Sequence, residues 1–278
     1  MTNLQQGFQE GTLAGLQFLK LGGALITDKT RPHQLRPETL ERLAAEIAAA
    51  CAQNPEMRLL LGHGSGSFGH VPASYYGTRR GVRLPEEWRG FSEVWMEASS
   101  LNRLVIEALF NAGLRPIAIP PSAVAVTQAG QILNWNLTPL RAALVNGLLP
   151  VVYGDVLFDT ERGGTILSTE DLFVYLAKEL RPERVLVAGI EAGVWADFPS
   201  RTQLIPEITS DNYPELASAL GGSAYTDVTG GMASKVEQLL ALAHAVPGLE
   251  ALIFSGEISG AVRQALAGSF IGTRIKDR

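Results

Sequence analysis

Short runs of Leu, Val and Ile alternate along this chain with longer segments of helical period, and that alternation narrows the available folds more than any other feature. Leu16 to Leu21, Arg58 to Leu61, Leu149 to Tyr153, Arg184 to Val187 and Ala251 to Phe254 are too short for stable helices, yet they are apolar almost throughout. A strand that is apolar on both faces must be covered on both, which predicts a parallel sheet between two helical layers. The intervening segments supply the helices. After Pro37, a residue suited to a helix's first turn, Leu40, Leu43, Ala44, Ile47, Ala48 and Cys51 recur at helical spacing until Pro55. Ser92 to Asn111 reads as a long helix ended by Gly113, with further helices at Leu137 to Asn146, Glu170 to Leu180 and Met232 to Ala245. Arg115 to Ile119 and Gly272 to Ile275 add outer strands. Two hairpins are expected, folding at Ala129-Gly130 and Gly163-Gly164. The stretch after Gly69, with Pro72, Gly77 and Pro85, reads as loop.

The expected fold is therefore α/β: a three-layer αβα sandwich with a mainly parallel central sheet and β-hairpin insertions. At about 150 residues per domain, 278 residues make one large or two small units. The economical division is a flexible tail over 1–15, an N-terminal lobe over 16–180 and a C-terminal lobe over 181–278, the two lobes sharing one sheet. Lys and Arg total 23 against 28 Asp and Glu, a net charge of −5, which speaks against nucleic-acid or anionic-membrane partners. No apolar stretch approaches the roughly 20 residues of a membrane span, and residues 1–15 lack the features of a secretion signal. The single cysteine, Cys51, excludes an intramolecular disulfide framework and fits a reducing, cytoplasmic setting; its place on an apolar helical stripe makes it a packing thiol.

Three glycine loops carry the chemistry: Gly22-Gly23, Gly62 to Gly69, and Gly230-Gly231. Glycine lets backbone N–H groups approach an anion, and a following helix adds unpaired donors and the positive end of its dipole. With Lys20 and Lys29 near the first loop and Lys235 near the third, the pattern describes a site for several phosphate groups. Lys20 stands between Leu19 and Leu21, where a buried cation needs an anionic partner. Gly64 to Gly69 also fits G-x-G-x-x-G, with Glu86 and Glu87 about 20 residues on as a dinucleotide site would want, but Pro72 and Gly77 fall where that site needs an unbroken helix. Neither a P-loop nor a nucleophile elbow occurs. His70 closes the middle loop, where an imidazole can donate to a phosphate oxygen. No His/Asp/Glu cluster has metal-ligand spacing, so any metal should arrive as Mg2+ on a nucleotide.

Lys20 to Lys29, Gly64 to His70, and Asp227 to Met232 with Lys235 together resemble the amino acid kinase superfamily, and within it the isopentenyl phosphate kinases, in the family's order from Gln17 to Ile275. The resemblance implies ATP-dependent phosphorylation of isopentenyl monophosphate to isopentenyl diphosphate, a step in an alternative mevalonate route to isoprenoids, with ATP and Mg2+ and a homodimeric enzyme. It implies ATP contacts from Lys20, Leu21, Gly22, Gly23, Ala24, Gly66, Gly193, Gly230, Gly231 and Lys235. Lys29 would stabilise the transition state, His70 would bond the acceptor phosphate, Ser65, Gly66 and Thr169 would line the acceptor site, and Asp171 would orient the lysines. Phe91, Val94 and Trp95, near one face of a helix, would wall an apolar slot for the tail. The N-terminal lobe would then bind the acceptor and the C-terminal lobe ATP. Ala24, Ser65 and Thr169-Glu170-Asp171 depart from the family's usual residues, and Ala192-Gly193-Val194 lacks its usual aspartate. A kinase for a related phosphate or phosphonate such as fosfomycin, a nucleotide-sensing module and a dinucleotide oxidoreductase remain as alternatives.

Overall fold

Strands buried on both faces appear where the apolar runs predict them. The structure, a computed structural model, describes residues 13–220 and 231–278; the side chains of residues 70–72 and 218–220 lie outside the description. In chain order the strands are β1 (Leu16–Leu21), β2 (Arg58–His63), β3 (Pro116–Ala118), β4 (Ala125–Gln128), β5 (Gln131–Trp135), β6 (Leu149–Tyr153), β7 (Asp155–Asp159), β8 (Gly163–Leu167), β9 (Arg184–Gly189), β10 (Val194–Trp195), β11 (Leu204–Ile205), β12 (Glu207–Thr209), β13 (Glu250–Ser255) and β14 (Thr273–Lys276). The helices are α1 (Gly23–Ile26), α2 (Pro37–Gln53), α3 (Gly66–Tyr76), α4 (Pro85–Asn111), α5 (Pro121–Val124), α6 (Thr138–Val145), α7 (Thr169–Leu180), α8 (Tyr213–Leu220), α9 (Gly231–Ala245) and α10 (Ala261–Leu266).

Eight strands form one sheet in the order β12-β14-β13-β9-β1-β2-β6-β3. From β13 to β3 every pairing is parallel, and β14 runs antiparallel to β13. Alternation along the strands divides the apolar residues between two cores, one per face. Leu16, Phe18, Leu60, Val185, Val187, Ala251 and Ile253 join α6, α7 and α9 on one side. Leu19, Leu21, Leu61, Leu186, Ala188, Leu252 and Phe254 join α2, α4 and α10 on the other. This is the three-layer sandwich, and it places Lys20, which shares parity with Leu16 and Phe18, on the face covered by α7. The chain crosses from β2 to one side of β1 and from β9 to β13 on the other, so the strand order reverses at β1 and β9. Loops at the carboxyl ends of strands part at such a point and leave a crevice.

A second sheet, β5-β4-β7-β8, holds both hairpins. The second turns one step earlier than expected, over residues 160–162, because Asp159 gathers the turn. Its carboxylate accepts from the N–H groups of Gly130 (2.7 Å), Arg162 (2.8 Å) and Glu161 (3.0 Å) and from the Thr127 hydroxyl (2.8 Å). Gly163 and Gly164 instead open β8, where a Cβ would meet the Val82 carbonyl oxygen at 2.0 Å and the Phe91 ring at 2.9 Å respectively. The stretch read as loop after Gly69 is α3, which continues through Pro72 and closes at Gly77 in the left-handed region, φ 63°. Residues 1–12 of the expected tail lie outside the described residues, whereas Leu13 is buried in the core and the Gly15 N–H donates to Glu183. Cys51 packs against the second core, and burial raises its pKa, as a packing thiol requires.

Burial opposes the charge on Asp159, but its ring of donors outweighs burial and holds the carboxyl at about 2. A depressed folded-state pKa contributes stability that is present above the ordinary value of about 4 and is lost as pH falls toward 2. Asp159→Asn should cost on the order of 2 kcal/mol at pH 7 and shorten that acid limb, measured by urea melts from pH 2 to pH 7.

Candidate active site

The loops leaving β1 and β2 meet backbone to backbone. A Cβ on Gly23 would lie 2.5 Å from the Gly66 nitrogen, one on Gly64 would lie 2.9 Å from the Gly23 nitrogen, and one on Gly66 would lie 2.1 Å from the Thr27 hydroxyl oxygen. Gly66 also has φ +50°, so glycine is required there twice over. Thr27 ties the junction: its hydroxyl donates to the Gly23 carbonyl at 2.7 Å and accepts from the Ser67 N–H at 2.9 Å. The N-terminus of α3, with no side-chain cap on Ser65, thereby opens on the same space as Gly22, Gly23 and Ala24. That space is a cavity of about 510 Å3. Thr27 takes the Ser67 N–H, and the Gly66 N–H at the start of α3, set beside bare glycine backbone, suits an anion.

Three lysines line the cavity: Lys20 from β1, Lys29 from the loop after α1, and Lys235 from α9. Lys20 is buried and forms a 3.0 Å ion pair with Glu170, on the first turn of α7. Burial raises the Glu170 pKa, but the charges of Lys20 and Lys235 outweigh it and hold the carboxyl below its usual range. One carboxylate thus faces two of the lysines. A glycine-lined cavity with three lysines suits a chain of phosphates.

Comparison with known proteins agrees with this geometry. The chain matches the amino acid kinase family over residues 15–255. It belongs to that family. The isopentenyl phosphate kinase of Haloferax volcanii is 37% identical to it over 254 residues, 89% of this chain and 98% of the relative. That of Methanothermobacter thermautotrophicus is 34% identical over 92% of this chain and 97% of the relative. A solved structure of isopentenyl phosphate kinase superposes with a TM-score of 0.79 at 30% identity, covering 94% of this chain and 100% of that one.

Among the residues that membership of this family implies, Lys20, Gly22, Gly23, Ala24, Lys29, Ser65, Gly66, Thr169, Gly231 and Lys235 all line the cavity. Thr169 does so while its hydroxyl donates to the His63 carbonyl at 2.6 Å. Gly230 and the His70 side chain lie outside the described residues. Five expectations, that for Phe91 among them, need correction. The lysine partner is Glu170, not Asp171: the Asp171 carboxylate accepts from the Ser168 N–H (2.9 Å) and from Arg79 (3.1 Å), capping α7. Leu21 is wholly buried in the second core. Gly193 is a packing glycine, since a Cβ there would meet the Thr273 hydroxyl at 2.6 Å and Leu204 at 2.9 Å. Trp95 is 45% exposed and does not line the cavity.

Val94, one residue before Trp95, does line it, together with Ala98 one turn on. Phe91 lies behind them in a small core with Val82 and Val156, supporting the wall without forming it. A step of one residue turns a helix by about 100°, which separates Val94 from Trp95. Ala73 and Ile166 complete this aliphatic end, and Arg79 stands at its edge. Another part of the lining, on the segment that follows β9, is built differently, by Ile190, Glu191, Trp195, Phe198 and Arg201. The sequence assigns Glu170, Phe198 and Arg201 no role, although it marks the segment from Gly189 to Trp195 as one where the family meets the nucleotide. The isolation of Lys20 among apolar residues was the available signal for Glu170. His63, flanking the middle loop, is buried against Asn102 (3.2 Å) and stacked on Tyr153, and burial lowers its pKa, so it packs as a neutral ring.

Replacing Glu170 with Gln leaves Lys20 buried without its counter-charge and should lower kcat by about tenfold or more. Asp171→Asn should mainly loosen the α7 cap, at a cost of about 1 kcal/mol, with a smaller effect on turnover. Steady-state kinetics and thermal melts of the pair separate the two roles.

Proposed function

We propose that this protein transfers the terminal phosphoryl group of ATP to isopentenyl monophosphate, giving isopentenyl diphosphate and ADP. The observation that carries the reading is the Lys20–Glu170 pair, set beside Lys235 and Lys29 where two glycine loops meet. The named activity of the relatives, at 34% and 37% identity over nearly their full length, supplies the acceptor. The aliphatic wall of Val94, Ala98, Ala73 and Ile166 suits a short hydrocarbon tail.

An oxygen of the acceptor phosphate attacks the γ-phosphorus of ATP. The new P–O bond forms as the bond from that phosphorus to the ADP oxygen breaks. A phosphate monoester is already ionised near neutral pH, its second pKa being about 6, so the step needs no strong general base. What it needs is alignment and neutralisation. Backbone of the glycine loops comes close to the phosphate oxygens, Lys20 and Lys235 meet the nucleotide phosphates, and Lys29 meets the transferred group. His70 takes the acceptor phosphate and Thr169 lines its pocket. In this reading the lobe over 16–180 holds the acceptor and that over 181–278 holds ATP.

Among the described residues no group of three or more His, Cys, Asp or Glu side chains gathers to hold a metal ion. Mg2+ would therefore be held through the nucleotide's own phosphates, where it would neutralise charge on their oxygens. We extend the reading to a homodimer, supported by the exposed stripe Trp88, Trp95 and Met96 on α4, and to a reducing cytoplasm, supported by the single cysteine. Among the described residues no helix is long and apolar enough to cross a membrane.

Purified protein with Mg-ATP should release ADP rapidly with isopentenyl monophosphate and slowly with fosfomycin or N-acetylglutamate; the reverse ranking overturns the assignment. Lys29→Ala should lower kcat by about 100-fold with little change in either KM. Ala98→Leu fills the aliphatic end and should raise the KM for isopentenyl monophosphate by about tenfold while leaving that for ATP unchanged.

A further inference from the structure

A buried polar pair interrupts the second core. His63, the last residue of β2, shares parity with Leu61 and so turns to the face packed with Leu101, Val105 and Leu109 of α4, where it meets Asn102 of the same helix. Both side chains are buried. Polar groups placed there add little stability and must each find partners. The ring finds two: Nδ1 faces the Gly64 carbonyl oxygen at 3.2 Å, and Nε2 faces Asn102 Oδ1 at 3.2 Å. Its flat side stacks on Tyr153, with centroids 5.5 Å apart.

Gly64 is where the chain leaves the sheet. Up to that point the backbone is held from both sides: the Gly64 N–H donates to the Leu21 carbonyl at 3.1 Å, and the His63 carbonyl accepts from the Gly154 N–H (3.3 Å) and the Thr169 hydroxyl (2.6 Å). The peptide that follows, from Gly64 to Ser65, hangs on a residue without a side chain, and glycine leaves such a peptide free to rotate. The His63 ring holds its carbonyl. In a trans peptide the C=O and the N–H point opposite ways, so a carbonyl drawn into the core turns the Ser65 N–H outward, on the side where Gly64 and Ser65 line the cavity.

Burial keeps the ring neutral, and a neutral imidazole carries one N–H. A carbonyl only accepts, so a proton on Nδ1 holds Gly64 and a proton on Nε2 alone leaves two lone pairs facing each other. The oxygen and the N–H2 group of an amide exchange places by a half turn, and one arrangement satisfies all three groups: the Asn102 N–H2 on Nε2 and the ring proton on Nδ1. We propose that Asn102 and His63 are positioning residues for the phosphoryl transfer, Asn102 fixing His63 as its Nδ1–H tautomer, Nδ1–H holding the Gly64 carbonyl, and the Ser65 N–H thereby aimed at the transferred group. This rests on the phosphotransferase reading above. A donor aimed at oxygens that gain charge in the transition state acts on kcat more than on binding. Asn102 stands one turn beyond Ala98 and two beyond Val94, so the helix that walls the aliphatic end also sets the ring.

The tautomer is read directly by nitrogen NMR of the full chain carrying 15N-labelled histidine. Of its four histidines, His33, His63, His70 and His244, the one whose signals vanish in a His63 variant should be in the Nδ1–H form near neutral pH. An Nε2–H ring or an imidazolium overturns the proposal. Kinetics test the consequence. The amide nitrogen of asparagine falls near the place of Nδ1 and that of glutamine near the place of Nε2, so His63→Asn keeps a donor for Gly64 and His63→Gln loses it. His63→Gln should lower kcat by about tenfold or more with both KM values within about threefold, and His63→Asn should recover kcat to within about threefold of wild type. Asn102→Leu, which leaves the ring in place, should lower kcat by about fivefold and admit the Nε2–H form. A merely structural role ranks the His63 variants by retained volume, Gln above Asn, and moves both KM values; that result overturns the proposal, as does an unchanged kcat in Asn102→Leu. Where the His63 variants fail to fold, the tautomer in Asn102→Leu and its kcat decide. A wild-type protein that turns over isopentenyl monophosphate with an Nε2–H ring loses this role alone. A wild-type protein without turnover loses the kinase reading, and the role with it.

Discussion

The contact between the loops that leave β1 and β2 governs the shape of the site. Gly23 and Gly66 approach so closely that no side chain fits at either position. That closeness turns two separate strand ends into one glycine-lined surface of the cavity, with the α3 N-terminus on one side and the Gly22-Gly23 backbone on the other. It also depends on the sheet. β1 and β2 must be parallel and in the register that sets Lys20 opposite Gly62 and Leu21 opposite His63, because only then do the two glycine loops emerge at the same height. The same register explains Gly62, where a Cβ would lie 2.6 Å from Thr169 and 2.7 Å from the Phe173 ring. The start of α7 therefore seats directly on β2, and Glu170 comes within reach of Lys20.

The residues that act at a distance from one another in sequence are brought together by strand parity. Lys20 shares a face with Leu16 and Phe18, and that face is covered by α7 and α9, the helices carrying Glu170 and Lys235. A lysine one position earlier or later on β1 would enter the opposite core, among Leu25, Phe68 and Phe254, where no carboxylate of α7 could reach it. A single alternation thus decides whether the cation is usable.

Much of this was legible in the sequence because it is local. Apolar runs marked the strands, glycine pairs marked the loops, and a lysine between two leucines marked a buried cation. The misreadings share a different cause. Glu170 and Asp171 differ by one position at a helix start, and which of them turns toward Lys20 is decided by how α7 seats on Gly62. Val94 and Trp95 differ by the same single step on α4. Gly193 resembles a loop glycine, but its tight neighbours are Thr273 and Leu204, contributed by β14 and β11. The hairpin bearing Trp195, Phe198 and Arg201 has two-residue strands and little periodicity, and its bracing by Asp197 and Thr273 is long-range or turn-specific. Helix phase and non-local packing are what single-sequence patterns carry least.

The buried Lys20–Glu170 pair raises a question of energetics. Removing both charges from water is costly, and such a pair adds little stability compared with apolar residues of the same size. Its value lies in what it spares the reaction. In the proposed reaction a lysine aimed by a fixed carboxylate would not need to reorganise around a polyphosphate, and its charge would act in full on the oxygens that become more negative in the transition state. Glu170 also offsets the mutual repulsion of the lysines that line the cavity. The carboxylate faces Lys20 and Lys235 together, and both charges hold its pKa down, so it remains an anion while the phosphates come and go. The fold accepts an interaction of small net stability on the face of β1 where the chemistry needs it, and it compensates with two apolar cores packed against the remainder of the same sheet.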